Sequence, residues 1–414
     1  MFPITMSRNA VKLITPNSLV TLAFLSQTFL SFLIAWGWLP RFPLSLVFLA
    51  LLFVSFLVSV FHVLRKIPQL SSQILQVDRL FLWLLLLWVT AVQVFYYFEL
   101  ASVYPEDYMK LIGTAGIGAW SAAVSGSFMA GASFAYKFSA WIIQFCTILL
   151  GVFMGWKVTG QLYFLFYNPT LLVSNPDSFK ANYLLVGDML AVTSIILLGS
   201  FLKRGWTVGG LAIYIFSLGA LFMSFSRGSL FFGGISLSLL WLFGTRRLLP
   251  FLTAIGVLTV GVGFIFASLE AQSSLLAQME VATGRVASFL EGEDASFNER
   301  KELLSESLDF LSRYWLLGKF MYEVTDGPGP GLYVHNWLSF WLEYGVGPFI
   351  LSLALLFYLL VRSWHRRADV EVSLLIFALL AVAFARAYVW VHFWFILAYV
   401  IYSLDRLPEE GEMR

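Results

Sequence analysis

Runs of about 17 to 25 mostly apolar residues, broken only by short polar stretches, recur along almost the whole chain. Backbone polar groups cannot face hydrocarbon unpaired, so such runs must become helices or close into a barrel. The runs are long and unbroken, not alternating segments of about ten residues, which favours helices. Spans are expected near residues 17–39, 43–64, 80–98, 111–131, 139–156, 182–201, 206–225, 229–244, 248–268, 337–361, 370–386 and 388–404. The expected fold is therefore an all-α membrane protein of about twelve transmembrane helices, one polytopic domain over residues 1–414 with no soluble domain appended. With 59% hydrophobic and 12% charged residues, the chain has too few polar groups to coat several soluble cores. A net charge of +2 gives no nucleic-acid surface, and Cys146 alone supports neither a disulfide framework nor a cysteine metal site.

The fourth stretch, LIGTAGIGAWSAAVSGSFMAG, is rich in Gly, Ala and Ser, so it either packs closely against neighbours or breaks partway. Arg8, Lys12, Arg65, Lys66, Arg79, Lys137, Lys203, Arg204, Arg246, Arg247, Arg362, Arg366, Arg367, Arg406 and Arg414 all fall on the side of the amino terminus, which makes that side cytoplasmic and puts both termini there. The first span has no small-residue cleavage site after it and is expected to be retained. Two external segments are long enough for structure of their own, residues 157–181 and 269–335. In the second, Leu304, Leu308, Leu311 and Trp315 have helical spacing, which predicts an amphipathic helix on the bundle or membrane surface. The run Asp326 to Gly331 then ends any helix and delivers His335 to the outer mouth of the tenth span.

Several polar residues stand where polarity is costly. Arg227, in FMSFSRGSLFF, lies between two apolar runs with almost no loop to lift it into water. It either snorkels to outer headgroups or forms an anion site, since a guanidinium fork matches phosphate oxygens. In VHNWLSFWLEYGVGP, His335 is a candidate base, Asn336 can cap the helix or orient a ligand, and Glu343 follows within it. His62, His365 and His392 rank below His335 for want of comparable polar neighbours. Arg285 and Arg300 flank the acidic run EGEDASFNE, where Arg285 either binds phosphate or pairs with Glu291 or Glu293. That acidic run has no calcium-loop spacing, and no metal site is expected. Arg386 lies inside the most apolar part of the carboxyl-terminal third; Asp188 and Glu343 are candidate partners for such buried arginines.

Taken in order, these pieces resemble the O-antigen ligase and O-antigen polymerase superfamily of bacterial envelope glycosyltransferases. The resemblance rests on four stretches within residues 165–365: NPDSFKANYLL, SFSRGSL, the pattern GRVASFLEGEDASFNERKELLSESLDFLSRYWLLGKF, and VHNWLSFWLEYGVGP. It implies a fold like that of class C glycosyltransferases, in the bacterial inner membrane, with the active site facing the periplasm. It further implies transfer of a glycan from an undecaprenyl-diphosphate donor to an acceptor hydroxyl, with inversion and without metal or other cofactor. Carried over by position, Arg227, Arg285 and Arg300 would bind the donor diphosphate and His335 would be the base. Lys180, Asn336, Glu343 and Arg386 would support them.

The superfamily uses several acceptors: lipid A-core in ligases, a second lipid-linked repeat in polymerases, protein in some relatives. Residues 269–335 carry eleven acidic side chains against five basic. That surface would repel a heavily phosphorylated core, which favours a polymerase, with a chain-length regulator as a further candidate partner. The rival from another class is a secondary transporter with twelve helices. It explains the span count but not the long external segment, and no repeat relates the two halves. A purely structural scaffold would leave Arg227 and Arg386 without a reason for their positions.

Overall fold

The computed structural model describes residues 16–40, 50, 77–160, 164–166, 168, 183–224, 226–245, 307–326 and 336–406. Among them every regular element is helical: α1 (Pro16–Ala35), α2 (Val77–Phe95), α3 (Gly118–Ala130), α4 (Phe134–Thr159), α5 (Tyr183–Lys203), α6 (Thr207–Met223), α7 (Arg227–Thr245), α8 (Leu338–Tyr344), α9 (Val346–His365), α10 (Asp369–Phe384) and α11 (Val391–Leu404). Six helices are long and apolar enough to cross a membrane, formed by α1, α2 with the turn that follows it, α4, α5, α7 and α9, while α6 and α11 are shorter apolar helices. This is the architecture of a multi-pass membrane protein. The expected spans at 43–64 and 248–268 lie outside the described residues, as do Lys180, Arg285, Arg300 and His335.

Two helices form the centre. Every residue of α5 from Val186 to Gly199 is buried, and so is every residue of α11 from Val391 to Ile401. Around them, α7, α6, α4 and α10 pack on α5, while α3 packs along α11. Lipid is as apolar as leucine, so helices associate where small side chains let backbones approach. Gly126 of α3 sits so close to the Phe395 carbonyl of α11 that a Cβ there would overlap it. Gly233 of α7 lies against Ala191 of α5, where a Cβ would stand 2.9 Å from the alanine Cβ.

The fourth expected span both breaks and packs closely. A π-helical segment, Ile112–Ile117, precedes α3, and the Gly-Ala-Ser face beyond it makes the tight contact with α11. The tenth expected span, 337–361, is two helices. Gly345, with φ of 83°, turns the chain between α8 and α9. In the external segment, residues 307–314 are helical, but the inward face carries Ser307, Phe310 and Leu311, whereas Leu308 and Trp315 point outward. Of the expected stripe, Leu311 packs inward beside Phe310, whose ring seats on Tyr322 with centroids 4.9 Å apart, while Leu308 and Trp315 are exposed. The segment expected as a loop from residue 157 begins later, because α4 continues to Thr159 and ends on left-handed Gly160.

Basic residues gather at one end of the bundle. Arg79 pairs with Asp405 at 2.6 Å, and Arg362 joins both Asp78 and Asp405. Arg366 donates to the Leu404 carbonyl at 2.8 Å, and Arg406 lies beside Gly131. These contacts tie the start of α2 to the ends of α9 and α11 and confirm that these helix ends lie together.

The glycine contacts set a mutational contrast. Gly126→Ala is expected to destabilise the protein by about 1–3 kcal/mol, because an inserted methyl must displace backbone. Gly219→Ala, where a Cβ meets nothing within 4 Å, should be neutral or slightly stabilising. Thermal unfolding of the two purified variants in detergent compares them directly.

Candidate functional site

At the end opposite the basic cluster, three side chains converge on one carboxylate. Asp188, in the second turn of α5, is 1% exposed. Arg386, in the connection between α10 and α11, grips it with two parallel bonds, Nε to Oδ2 at 2.6 Å and Nη2 to Oδ1 at 2.8 Å. The Ser229 hydroxyl, from the first turn of α7, donates to Oδ1 at 2.5 Å, and the Trp390 indole donates to Oδ2 at 2.9 Å. Arg386 also donates from Nη1 to the Ala385 carbonyl at 3.0 Å. A bidentate pair with its spare lone pairs and protons satisfied is the arrangement in which buried charges are tolerated.

The network continues into the turn around Arg227. Ser226 and Ser229 hydroxyls lie 2.5 Å apart, and the Ser226 amide is held by the Ser224 hydroxyl at 3.3 Å. Gly187, next to Asp188, faces this turn so closely that a Cβ would stand 2.8 Å from Ser229 Oγ. A Cβ on Gly228 would lie 3.5 Å from Arg386 Nη1. Arg227 itself is half-buried and is the first residue of α7, so its side chain leaves from the positive end of a 19-residue helix. The sequence expectation that Asp188 partners a buried arginine holds, and the arginine is Arg386. Glu343 has a different partner.

Asn336 caps α8 as its residue type allows: Oδ1 accepts from the Leu338 amide at 2.9 Å. Its carbonyl accepts from Ser339 Oγ at 2.7 Å, and that hydroxyl oxygen accepts from the Tyr388 amide at 2.8 Å. Tyr388 lies two residues beyond Arg386, so the connection from 385 to 390 joins the Arg227 turn to the helix that opens beside Asn336. The Tyr388 hydroxyl in turn donates to Glu323 Oε1 at 3.0 Å. Glu343, at the end of α8, accepts from the Met321 amide at 2.7 Å. Among the sequence-nominated residues within the described part, Arg227 and Arg386 are thereby neighbours in one network. Asn336 connects to it through Ser339 and Tyr388, and Glu343 holds the external segment.

His392 lacks polar neighbours in sequence, but the fold sets it within electrostatic reach of Asp188 and Arg386. Its ring lies between Phe24 and Trp390, at centroid distances of 6.3 and 5.7 Å, wholly buried and with neither nitrogen hydrogen-bonded. Ser229 and Trp390 also carry no sequence signal for their roles; only pairing Asp188 with the segment almost two hundred residues later identifies them. No protein-family model matches this sequence, and no curated protein matches it.

Removing one partner of the pair leaves the other charge buried. Arg386→Met is expected to cost about 3–5 kcal/mol, and Asp188→Asn in the same chain to recover part of that loss. Thermal unfolding of the two single variants and the double variant, treated as a cycle, measures the coupling.

Proposed function

We propose that this protein is a membrane glycosyltransferase of the O-antigen polymerase and ligase type. In this reading it has about twelve transmembrane helices in a class C glycosyltransferase-like arrangement, with both termini cytoplasmic and the Arg227 end facing the periplasm of a bacterial inner membrane. The donor is an undecaprenyl-diphosphate-linked oligosaccharide. The observation that carries the proposal is the Asp188–Arg386–Ser229 network, which fixes the Ser226–Arg227–Gly228 turn at the membrane end away from the basic cluster. A guanidinium held at a helix amino terminus suits a phosphate group.

The chemistry is a single displacement. The acceptor hydroxyl oxygen attacks the anomeric carbon, its proton passes to the His335 imidazole, and the bond from that carbon to the diphosphate oxygen breaks with inversion. The electron pair leaves with the undecaprenyl diphosphate. Arg227, Arg285 and Arg300 neutralise the charge that develops there, with Lys180 in support. Asn336 caps α8, the helix that follows His335 in sequence. The acidic balance of residues 269–335 favours a lipid-linked repeat as acceptor, hence a polymerase; transfer to lipid A-core is the alternative. A secondary transporter is supported by a different observation, the helix breaks at Ile112–Ile117 and Gly345.

Transfer assayed with purified lipid-linked repeat tests all three. A ladder formed without lipid A-core indicates polymerisation, a single transfer that requires the core indicates ligation, and no transfer with either acceptor favours transport. His335→Ala should lower turnover by about 10²–10⁴-fold and Arg227→Ala should abolish it, both with normal membrane insertion. Arg285→Lys should also be impaired, because an ammonium cannot make a two-point phosphate contact. Wild-type turnover in His335→Ala would remove the base assignment.

A further inference from the structure

The external segment that follows residue 307 is bound to the α8–α9 elbow by backbone contacts and by two buried glutamates. Gly318 and Gly345 both adopt left-handed φ, 68° and 83°, and face each other without room for a side chain. Around them the Lys319 amide donates to the Leu342 carbonyl at 2.7 Å, and the Val346 amide to the Leu316 carbonyl at 3.3 Å. The Trp341 indole donates to the Trp315 carbonyl at 2.6 Å, and the Tyr96 hydroxyl to the Gly318 carbonyl at 3.2 Å.

Behind this contact lie Glu323 and Glu343, 1% and 0% exposed. Each satisfies one oxygen with a neighbour: Glu343 Oε2 with the Met321 amide at 2.7 Å, Glu323 Oε1 with the Tyr388 hydroxyl at 3.0 Å. The remaining oxygens, Glu343 Oε1 and Glu323 Oε2, are buried and receive no hydrogen from any other group. The two carboxyl groups are within hydrogen-bonding reach of each other. The nearby ammonium of Lys319 is engaged by Asp326 at 2.5 Å. Among the described residues, the other titratable groups facing the pair are hydroxyls: Tyr388 from the connection before α11, Tyr344 from α8 and Tyr96 just after α2, with Glu99 beyond Tyr96. Two carboxylates in such a place, without a cation, would repel each other across a site that water does not reach.

We propose that Glu323 and Glu343 share one proton, and that this carboxyl–carboxylate bond is a pH-sensitive clasp holding residues 316–326 on the α8–α9 elbow. Burial first, then the neighbouring Glu323 charge and hydrogen bond, push the Glu343 carboxyl well above the ordinary carboxylate range, against the opposing Met321 amide. A carboxyl raised in this way stabilises the clasped state below its folded value, and the stabilisation is lost as pH rises through that value. The segment lies between residues 285–300 and residue 335.

Hydrogen–deuterium exchange of the full-length protein in lipid nanodiscs, corrected for intrinsic rates, tests the clasp between about pH 5 and pH 9. Peptides covering residues 316–326 should exchange about tenfold or more faster at the alkaline end in the wild type. Glu343→Gln keeps a hydrogen-bond donor and removes the titration, so protection should persist at every pH. Glu323→Gln should behave alike and serves if the first variant does not fold. Wild-type exchange that does not vary with pH, or a wild-type pH profile retained in the folded glutamine variant, overturns the proposal. The readout involves no glycan, so a protein that transfers nothing can still show the clasp, and an active protein can lack it.

Discussion

One ion pair organises the end of this bundle opposite the basic cluster. Asp188 is buried in one of the two central helices, and a lone carboxylate there would be costly. Arg386, Ser229 and Trp390 supply the donors that make it tolerable, and they come from two other parts of the chain, the first turn of α7 and the connection between α10 and α11. The position of α7, the path of the connection between α10 and α11, and the entry to α11 are therefore set by one group's need for partners. The turn carrying Arg227 is tied to that arrangement through the Ser226 and Ser229 hydroxyls.

The same logic separates what the sequence discloses from what it conceals. Apolar run length locates helices well because the penalty for unpaired backbone in lipid is large and local. It cannot locate Gly345's turn, since a glycine within an apolar run reads equally as a packing residue. The turn exists because residues 316–319 bond across it, a contact between segments that share no local pattern. The exposed positions of Leu308 and Trp315 show the opposite hazard. On a short helix lying against protein, one aromatic contact, Phe310 on Tyr322, outweighs the aliphatic stripe.

Among candidate residues, those recognisable from sequence were the charges. Arg227, Arg386, Asp188 and Glu343 stand out because burying them is costly, and the expectation that Asp188 serves an arginine needs no coordinates. Partner choice was not legible: nothing in the local sequence says that Asp188 takes Arg386 or that Glu343 faces Glu323. His392 was passed over because its polar surroundings arrive from α5 and from the connection before α11, not from its flanking residues. Sequence reveals the cost of a group; only the fold reveals what offsets it.

The facing glycines at 318 and 345 carry one further implication. A side chain on Gly318 would strike the backbone at Gly345 and one on Gly345 the backbone of Leu316 and Leu317, so the two positions are constrained by one contact although 27 residues separate them. A related chain that replaced one glycine would have to lift the external segment away from the elbow, whatever it placed at the other. Such a protein would present a differently seated outer loop above an unchanged helical core, and paired variation at these two sites would mark where this architecture diverges.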